Sequence, residues 1–340
     1  MQDWRVPVAA PKPLTLVEAL RNYWYPAARS DEVAERPFAT KVLGESVVLW
    51  RDSAGRANAF YDLCIHRGAP LSLGWVDGDT LVCGYHGWAY AADGSCACIP
   101  SLPAGRGIPA KARATAYRCQ ERYGLVWVCL GEPVADIPTF PPEFDDPSWN
   151  WDVFSTEALL QANAARWIEN LIDFSHHAWI HEGILGDRRY PQILPYEIQQ
   201  NADGFEFEIE DGGVALDEDA TDPSFKRGRA RYQVVYPFNM FLVNYRVGED
   251  SRTFRWWVCN PMSTKETRVF RFAGRNSDYP PVEDAIRGSH LIYEQDRRFV
   301  EAQRPEELPL DLREELHLRG PDLAALEYRK GLAALGVDWQ

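Results

Sequence analysis

The stretch richest in reactive side chains is CIHRGAPLSLGWVDGDTLVCGYHGW, from Cys64 to Trp88. It holds two short clips, Cys64-x-His66 and Cys83-x-x-His86, with sixteen residues between them. Thiolate and imidazole suit zinc or an iron–sulfur cluster. A zinc staple also takes four ligands, usually spaced C-x2-C and H-x3-H. Here each loop supplies one Cys and one His. That matches a two-iron cluster with both thiolates on one iron and both imidazoles on the other. Imidazoles in place of thiolates lower the negative charge at such a site and raise its potential. Gly68, Gly74, Gly84 and Gly87 are expected to let backbone N–H groups approach the bridging sulfides, and Tyr85 and Trp88 to shield them from water. Cys96 and Cys98 form a further C-x-C that reads as structural, since four ligands complete the set.

A second concentration is ENLIDFSHHAWIHEG, residues 169–183. A lone helical His is commonly a satisfied core residue. Three within six residues, His176, His177 and His181, with Asn170 and Asp173 beside them, point to a metal. On a regular helix His177 and His181 share a face, being four apart. His176 and His181, five apart, stand about 140° from each other. Two imidazoles and one carboxylate on one face of Fe(II) leave positions open for O2 and water. The helical stretch LIYEQDRRFVEAQRP offers Glu294, Asp296 and Glu301 as that carboxylate, unless they form a solvated acidic face.

The first stretch resembles the Rieske [2Fe–2S] motif as Rieske non-haem iron oxygenases carry it, C-x-H-R-G in one loop and C-x-Y-H-G-W in the next. It lacks the extra cysteine pair that forms a disulfide in respiratory Rieske proteins. The second stretch is similar to the same family's N-x2-D-x2-H-x4-H, as Asn170, Asp173, His176 and His181. ERYGLVWVCLG (121–131), DFSHHAWIHEGILGDR (173–188) and EYRKGLAALGV (327–337) echo the vanillate O-demethylase, methylxanthine N-demethylase and saxitoxin-pathway hydroxylase group. The resemblance implies a [2Fe–2S] cluster on Cys64, His66, Cys83 and His86. It implies a mononuclear Fe(II) on His176 and His181, with a local break in the helix between them and His177 as the rival ligand. The third ligand falls to Asp296, in Gln295-Asp296 with Glu301 and Gln303 following. Asn170 and Asp173 become supporting catalytic residues. In the family that Asp bridges to a Rieske His of the neighbouring subunit, so the resemblance implies a head-to-tail homotrimer, Asp173 meeting the partner subunit's His86 in a closed heterologous ring.

The implied activity takes O2, and electrons from a NAD(P)H-dependent ferredoxin or flavin/ferredoxin-type reductase. It hydroxylates a small aromatic or heteroaromatic substrate, or removes an O- or N-methyl group as formaldehyde after hydroxylation. No requirement for a small β subunit is visible, which favours monooxygenation. The alternatives are a ring-dihydroxylating dioxygenase and, from another class, an iron–sulfur electron carrier with a structural second domain.

These residues need elements to hold them. TKVLGESVVLWR, RANAFYDLC, DTLVCGYHGWAY and TAYRCQERYGLVWVCLG are short β-rich runs between Gly, Asp and Ser turns. Asp77-Gly78 and Asp93-Gly94 are hairpin dipeptides. They predict an all-β domain over 37–149, closed by the proline-rich IPTFPPEFDDPSW at 137–149. Residues 1–36, with a short helix in PLTLVEALRNYW, are expected to pack on the second domain, 150–340. That domain reads as a helix over about 162–182, the strands GFEFEIED, ARYQVVYPFNMFLVNYRV, TFRWWVCNPM and TRVFRFAG, a long helix over about 282–303, and a last one from Asp322 to Leu335. The class is α+β, and the resemblance makes the second domain a helix-grip (START-like) antiparallel sheet holding the iron.

The pocket would draw on Ser289 and Tyr293, on the Asp296 helix face, with His290 nearby. From the sheet it would draw on Phe238, Asn239, Met240, Leu242 and Asn244, of which only alternate residues reach one face. No Arg stands out as a carboxylate clamp, though Arg297 and Arg298 are candidates.

Composition sets the outer limits. The chain is 46% hydrophobic and 13% aromatic, which suits large cores and an apolar pocket. Its 36 basic and 50 acidic residues leave −14, against a nucleic-acid footprint. No apolar run is long enough for a membrane helix, and the N-terminus lacks a signal-peptide pattern. Seven cysteines, an odd number with two in clips, suit a reducing cytoplasm. Over 94–122, Arg106, Lys111, Arg113, Arg118 and Arg122 face one acid, Glu121, a local +4 that would dock an acidic redox partner.

Overall fold

The structure is a computed structural model and describes residues 18–140, 142–153, 157–210, 228–246, 251–277 and 282–337. Residues 1–17, where the N-terminal helix is expected to begin, lie outside these. Two β units carry the chain. The first contains β1 (Tyr25–Arg29), β2 (Phe38–Val42), β3 (Glu45–Arg51), β4 (Ala57–Tyr61), β5 (Trp75–Asp77), β6 (Thr80–Val82), β7 (Ala89–Ala91), β8 (Cys96–Cys98), β9 (Ala116–Arg122) and β10 (Leu125–Cys129). They form a six-stranded sheet, β1-β10-β9-β4-β3-β2, and a four-stranded sheet, β5-β6-β7-β8. The buried runs ESVVLWR and LVWVC supply the β-branched and aromatic residues that fill a pleated face. Asp77-Gly78 and Asp93-Gly94 turn two of the hairpins, both glycines at positive φ.

Among the described residues, the part of the expected helix up to Trp24 is a 3₁₀ turn, Glu18–Asn22. Beyond it Trp24 and Tyr25 are buried, and Pro26, which has no N–H to donate, suits the edge strand β1. Because β1 pairs with β10, the first sheet begins at Tyr25, upstream of residue 37.

The second unit contains β11 (Asn150–Val153), β12 (Ala158–Leu160), β13 (Gln199–Gln200), β14 (Gly204–Glu210), β15 (Gly228–Val235), β16 (Asn239–Arg246), β17 (Arg252–Ser263) and β18 (Glu266–Arg275). The antiparallel order is β11-β18-β17-β16-β15-β14-β13, with β12 also on β18. The run 230–247 divides into β15 and β16 around Pro237, which cannot donate to a ladder. Its helices are α1 (Ala164–Ile172), α2 (His177–Ile180), α3 (Val282–Val300) and α4 (Leu323–Ala334).

Side-chain alternation gives this large sheet two buried faces. Phe241, Phe254, Trp256, Val258, Phe270 and Phe272 pack against Trp24, Leu125, Trp127, Ile137 and Phe140, so this face joins the two units. Backbone bonds Leu43 N–H to Pro261 O (2.7 Å) and Gly44 N–H to Met262 O (3.0 Å) and the Arg268–Glu32 pair (2.7 Å) close the same junction. Tyr232, Val234, Met240, Leu242 and Cys259 line the other face, under Trp167 and Ile168 of α1, Val300 of α3 and Tyr328 of α4.

Charge also holds α1. Arg166 and Arg329 are buried and share Glu315 (2.8 and 2.5 Å), and Arg329 also meets Glu169 of α1 (2.5 Å). Each buried guanidinium therefore has a carboxylate, without which its desolvation would cost several kcal/mol. The network ties α1, whose C-terminal end leads into the His-rich segment, to α4.

Candidate active site

The two clips adopt the same turn. Gly68 N–H donates to Cys64 O and Gly87 N–H to Cys83 O, each at 2.9 Å. Cys64 N–H donates to Ala69 O and Cys83 N–H to Trp88 O, each at 2.8 Å. Gly68 and Gly87 lie in the left-handed region, at φ +67° and +71°. Gly74 and Gly84 serve a different contact from the expected one. A Cβ on Gly84 would stand 2.6 Å from Leu73 O, so these glycines let the two loops touch.

Four donors converge there. The His66 and His86 rings are 4.5 Å apart, and Cys64 and Cys83 are buried, free thiols. His66 Nδ1 is buried with no hydrogen-bond partner, which leaves it open to a metal. Burial pushes the Cys64 thiol up, so its thiolate needs a nearby cation. The donor set fits a two-iron cluster with the thiolates inside and the imidazoles outside, His86 being exposed. Trp88 stacks on His66 at 4.6 Å and Tyr85 packs on His86 at 3.9 Å. Tyr90, unremarked in the motif, places its hydroxyl 3.1 Å from Cys64 Sγ. Cys96 and Cys98 are both free, on β8.

In the second constellation, Asn163 caps α1, its side chain accepting from Ala165 N–H at 2.9 Å. The helix ends at Ile172. Asp173 is extended (φ −89°, ψ 134°) and accepts from Ser175 N–H at 2.8 Å, an Asx turn that competes with continued helix. The break therefore precedes His176 and does not fall between His176 and His181. Those two residues cap the single turn α2 at either end, which is how side chains five apart reach one centre.

His176, His181 and Asp296 bring one ligand atom each to within 4.8 Å of one another. His176 Nδ1 is 2.9 Å from Asp173 Oδ2, and His181 Nδ1 is 2.8 Å from Gln295 Oε1. Both acceptors hold the proton on Nδ1, which leaves both Nε2 atoms facing Asp296 Oδ1, at 3.5 and 2.9 Å. Lone pairs and a carboxylate converging in a buried space call for a cation between them. Burial disfavours a charged His181, but Asp296 and Gln295 together raise its pKa above the ordinary value. The set fits a 2-His-1-carboxylate ion site.

His177 is not in that set, although its ring packs edge-on against His176 at 4.7 Å. It lies 5.8 Å from His181 and 6.1 Å from Phe174, and burial holds its pKa down to about 3. Glu294 and Glu301 face Arg297 (2.6 and 3.5 Å). Asn170, in the last turn of α1, has a buried Nδ2 without a partner.

The expected substrate contacts divide. Leu242 and Met240 face α1, and Tyr293 packs edge-on against Trp167 at 5.4 Å. Ser289 accepts from the Arg271 guanidinium at 3.0 Å, and His290 is exposed. Asn239 is three residues from Leu242 and so takes the opposite face, opposed to Val235 and Val258. Arg297 is paired and Arg298 exposed. The basic stretch is largely neutralised by acids from outside it. Asp93 meets Arg113, Glu132 meets Arg118, Asp136 meets Arg122, and Arg51 takes Glu121. Arg106 and Lys111 remain exposed.

The chain is similar to known proteins along most of its length. The family profile of the Rieske [2Fe-2S] domain matches residues 23–121, and that of the vanillate O-demethylase oxygenase C-terminal domain matches residues 160–337. Methylxanthine N1-demethylase NdmA of Pseudomonas putida is 31% identical, over 94% of this chain and 90% of its own. The iron–sulfur subunit TsaM1 of the toluene-4-sulfonate monooxygenase system of Comamonas testosteroni is 37% identical, over 52% of this chain and 50% of its own. The solved structure of P. putida NdmA with caffeine matches with a TM-score of 0.81 at 30% identity, covering 93% of this chain and 91% of that one.

Proposed function

This chain belongs to the Rieske oxygenases with a vanillate O-demethylase type of C-terminal domain, and on that premise we propose that it is a monooxygenase acting on a small aromatic or heteroaromatic compound. It is an oxidoreductase with two metal sites on one chain. The family's [2Fe–2S] cluster and mononuclear iron, when bound, supply single electrons and the activation of O2. Cys64, His66, Cys83 and His86 would hold the cluster, with the Tyr90 hydroxyl donating to the Cys64 sulfur. His176, His181 and Asp296 would hold the iron. Asp173 and Gln295 keep the imidazole protons on Nδ1, and Asn170 lies one turn before Asp173. The observation that carries this reading is the convergence of both Nε2 atoms on Asp296 Oδ1.

Tyr232, Met240 and Leu242 form an apolar wall beneath α1, which would exclude water and seat an aromatic ring beside the iron ligands. NdmA and the vanillate enzyme are named as demethylases. The same hydroxylation, directed at an O- or N-methyl carbon here, would release formaldehyde.

Electron supply calls for a ferredoxin-type reductase, and transfer between sites for a homotrimer. The exposed His86 is rimmed by Ile65, Leu73, Trp75 and Tyr85, each more than half exposed, and the iron segment shows Trp179, Ile184 and Leu185. Apolar rims of this kind mark interaction surfaces. Head-to-tail docking would cover both and set Asp173 against the partner subunit's His86. All seven cysteines are free, which suits a reducing cytoplasm, and no described helix is long and apolar enough to cross a membrane.

A single turnover tests the reading. The iron-loaded protein is reduced chemically, exposed to O2 with methoxy-, methylamino- and unsubstituted aromatic compounds, and the products are weighed. Gain of one oxygen atom, or loss of a methyl carbon with formaldehyde, is expected. Gain of two oxygen atoms, or no oxygenated product from any compound, would overturn it.

A further inference from the structure

One arginine on the wall of the candidate pocket has no acid to answer it. Arg255 lies mid-strand on β17, opposed to Leu242 on β16 and to Ala273 on β18. Its neighbours Phe254 and Trp256 face the first unit, so Arg255 faces α1 and α3. A row of side chains on that face runs Phe207, Tyr232, Leu242, Arg255, Ala273 across five strands. Tyr232 packs edge-on against Phe174 at 5.2 Å, two residues before His176. With strands about 4.8 Å apart, Arg255 stands about 10 Å along the wall from Tyr232, within the span of a substituted aromatic ring.

Several other arginines of this unit are matched. Arg231 has Glu206, Arg268 has Glu32 and Glu157, Arg297 has Glu294, and Arg166 and Arg329 share Glu315. No hydrogen bond or ion pair reaches Arg255 among the described residues, and burial holds its pKa below the ordinary guanidinium range. It nonetheless keeps accessible surface. A cation held there without a counter-ion is costly unless a bound ligand supplies the negative charge.

We propose that Arg255 binds the anionic substituent of the substrate, a ring carboxylate or sulfonate, with the iron-facing end of the ring at the Phe174–Tyr232 side of the wall. This deepens the monooxygenase reading and rests on it. Arg is suited to such a group because its planar fork forms two parallel charge-assisted hydrogen bonds to it. The enzyme then prefers acidic aromatics over neutral heteroaromatics. Arg255 was passed over in the sequence because TFRWWVCNPM reads as an apolar strand, and only the alternation separates Arg255 from its buried neighbours.

The test is calorimetric binding to the iron-loaded protein without O2, using positional isomers of methoxybenzoate and toluenesulfonate, each paired with its neutral amide. At least one acid should bind tenfold or more tighter than its amide. Arg255→Gln should lose that preference while amide binding, iron and sulfide content and circular dichroism stay unchanged, and Arg255→Lys should retain part of it. Amides bound as well as acids, no acid bound in the series, or an acid preference that survives Arg255→Gln would overturn the proposal. A single turnover of the same compounds separates the two readings. Oxygenation of neutral members alone removes the anion contact and keeps the oxygenase. Tight binding of acids with no oxygenation does the reverse.

Discussion

At the scale of residues, the chemistry rests on which nitrogen of each imidazole is left bare. Asp173 and Gln295 set this for His176 and His181 from outside the ligand set. Such outer partners typically change metal affinity about 10- to 100-fold when removed. Gln295→Leu should therefore weaken iron retention within that range in a competition with a chelator, while the cluster's visible and paramagnetic signals persist. Unchanged retention would show that His181 is oriented by packing alone. Gln295 was in plain view in the Gln295-Asp296 pair, but a motif names ligands and does not say which residue steers them. Asn239 was misplaced for a different reason. It and Leu242 differ by an odd number, so one strand cannot turn both to one face.

At the scale of elements, the two sites rely on different devices. The cluster loops need glycine where they touch, so Gly84→Ala should lower labile sulfide per chain, since even a methyl meets the Leu73 carbonyl. Normal sulfide in that variant would mean that the loops can part. The iron segment relies on α1 ending at Ile172 and on the charge network behind it. Arg329→Met would strand Glu169 and deprive Glu315 of one partner, and should cost about 3–5 kcal/mol in urea unfolding. A loss under 1 kcal/mol would contradict a buried network there. The resemblance implies the break in the helix, between His176 and His181, but not its actual position. The capping side chain of Asp173 moves it ahead of His176. Tyr23 and Trp24 continue the helical pattern of PLTLVEALRNYW, and only pairing with β10 shows that a strand begins at Tyr25, in the Pro-containing entry.

At the scale of the whole molecule, two β units meet across one face of the large sheet, and neither set of metal ligands belongs to that junction. The β character of the first unit and the helices of the second were legible from turn dipeptides and periodicity. The basic patch was not, because Asp93, Glu132 and Asp136 reach it only through the fold. Transfer between subunits gives a direct prediction. Co-assembled Cys64→Ser and Asp296→Ala chains, each inactive alone, should regain turnover, measured by product formed per trimer. No recovery in a verified mixed trimer would confine the electrons to one chain. Alkaline pH probes the packed core. Burial pushes Cys119, Tyr196 and Tyr293 up to about 12. Folding favours their neutral forms, so the stability they contribute is complete below the unfolded values of about 8.5 for thiol and 10 for phenol, and is lost as pH rises toward 12. The urea midpoint should fall between pH 8 and pH 10.5, and a rising midpoint would contradict this.

The most direct test of the two-site reading is a count of iron and labile sulfide in the purified chain and in Asp296→Ala, with the cluster's paramagnetic signal recorded on both. About three irons and two sulfides per chain are expected, falling to two irons in the variant with sulfide and signal unchanged. A variant that keeps all three irons, or a parent chain that holds zinc and no sulfide, would contradict it.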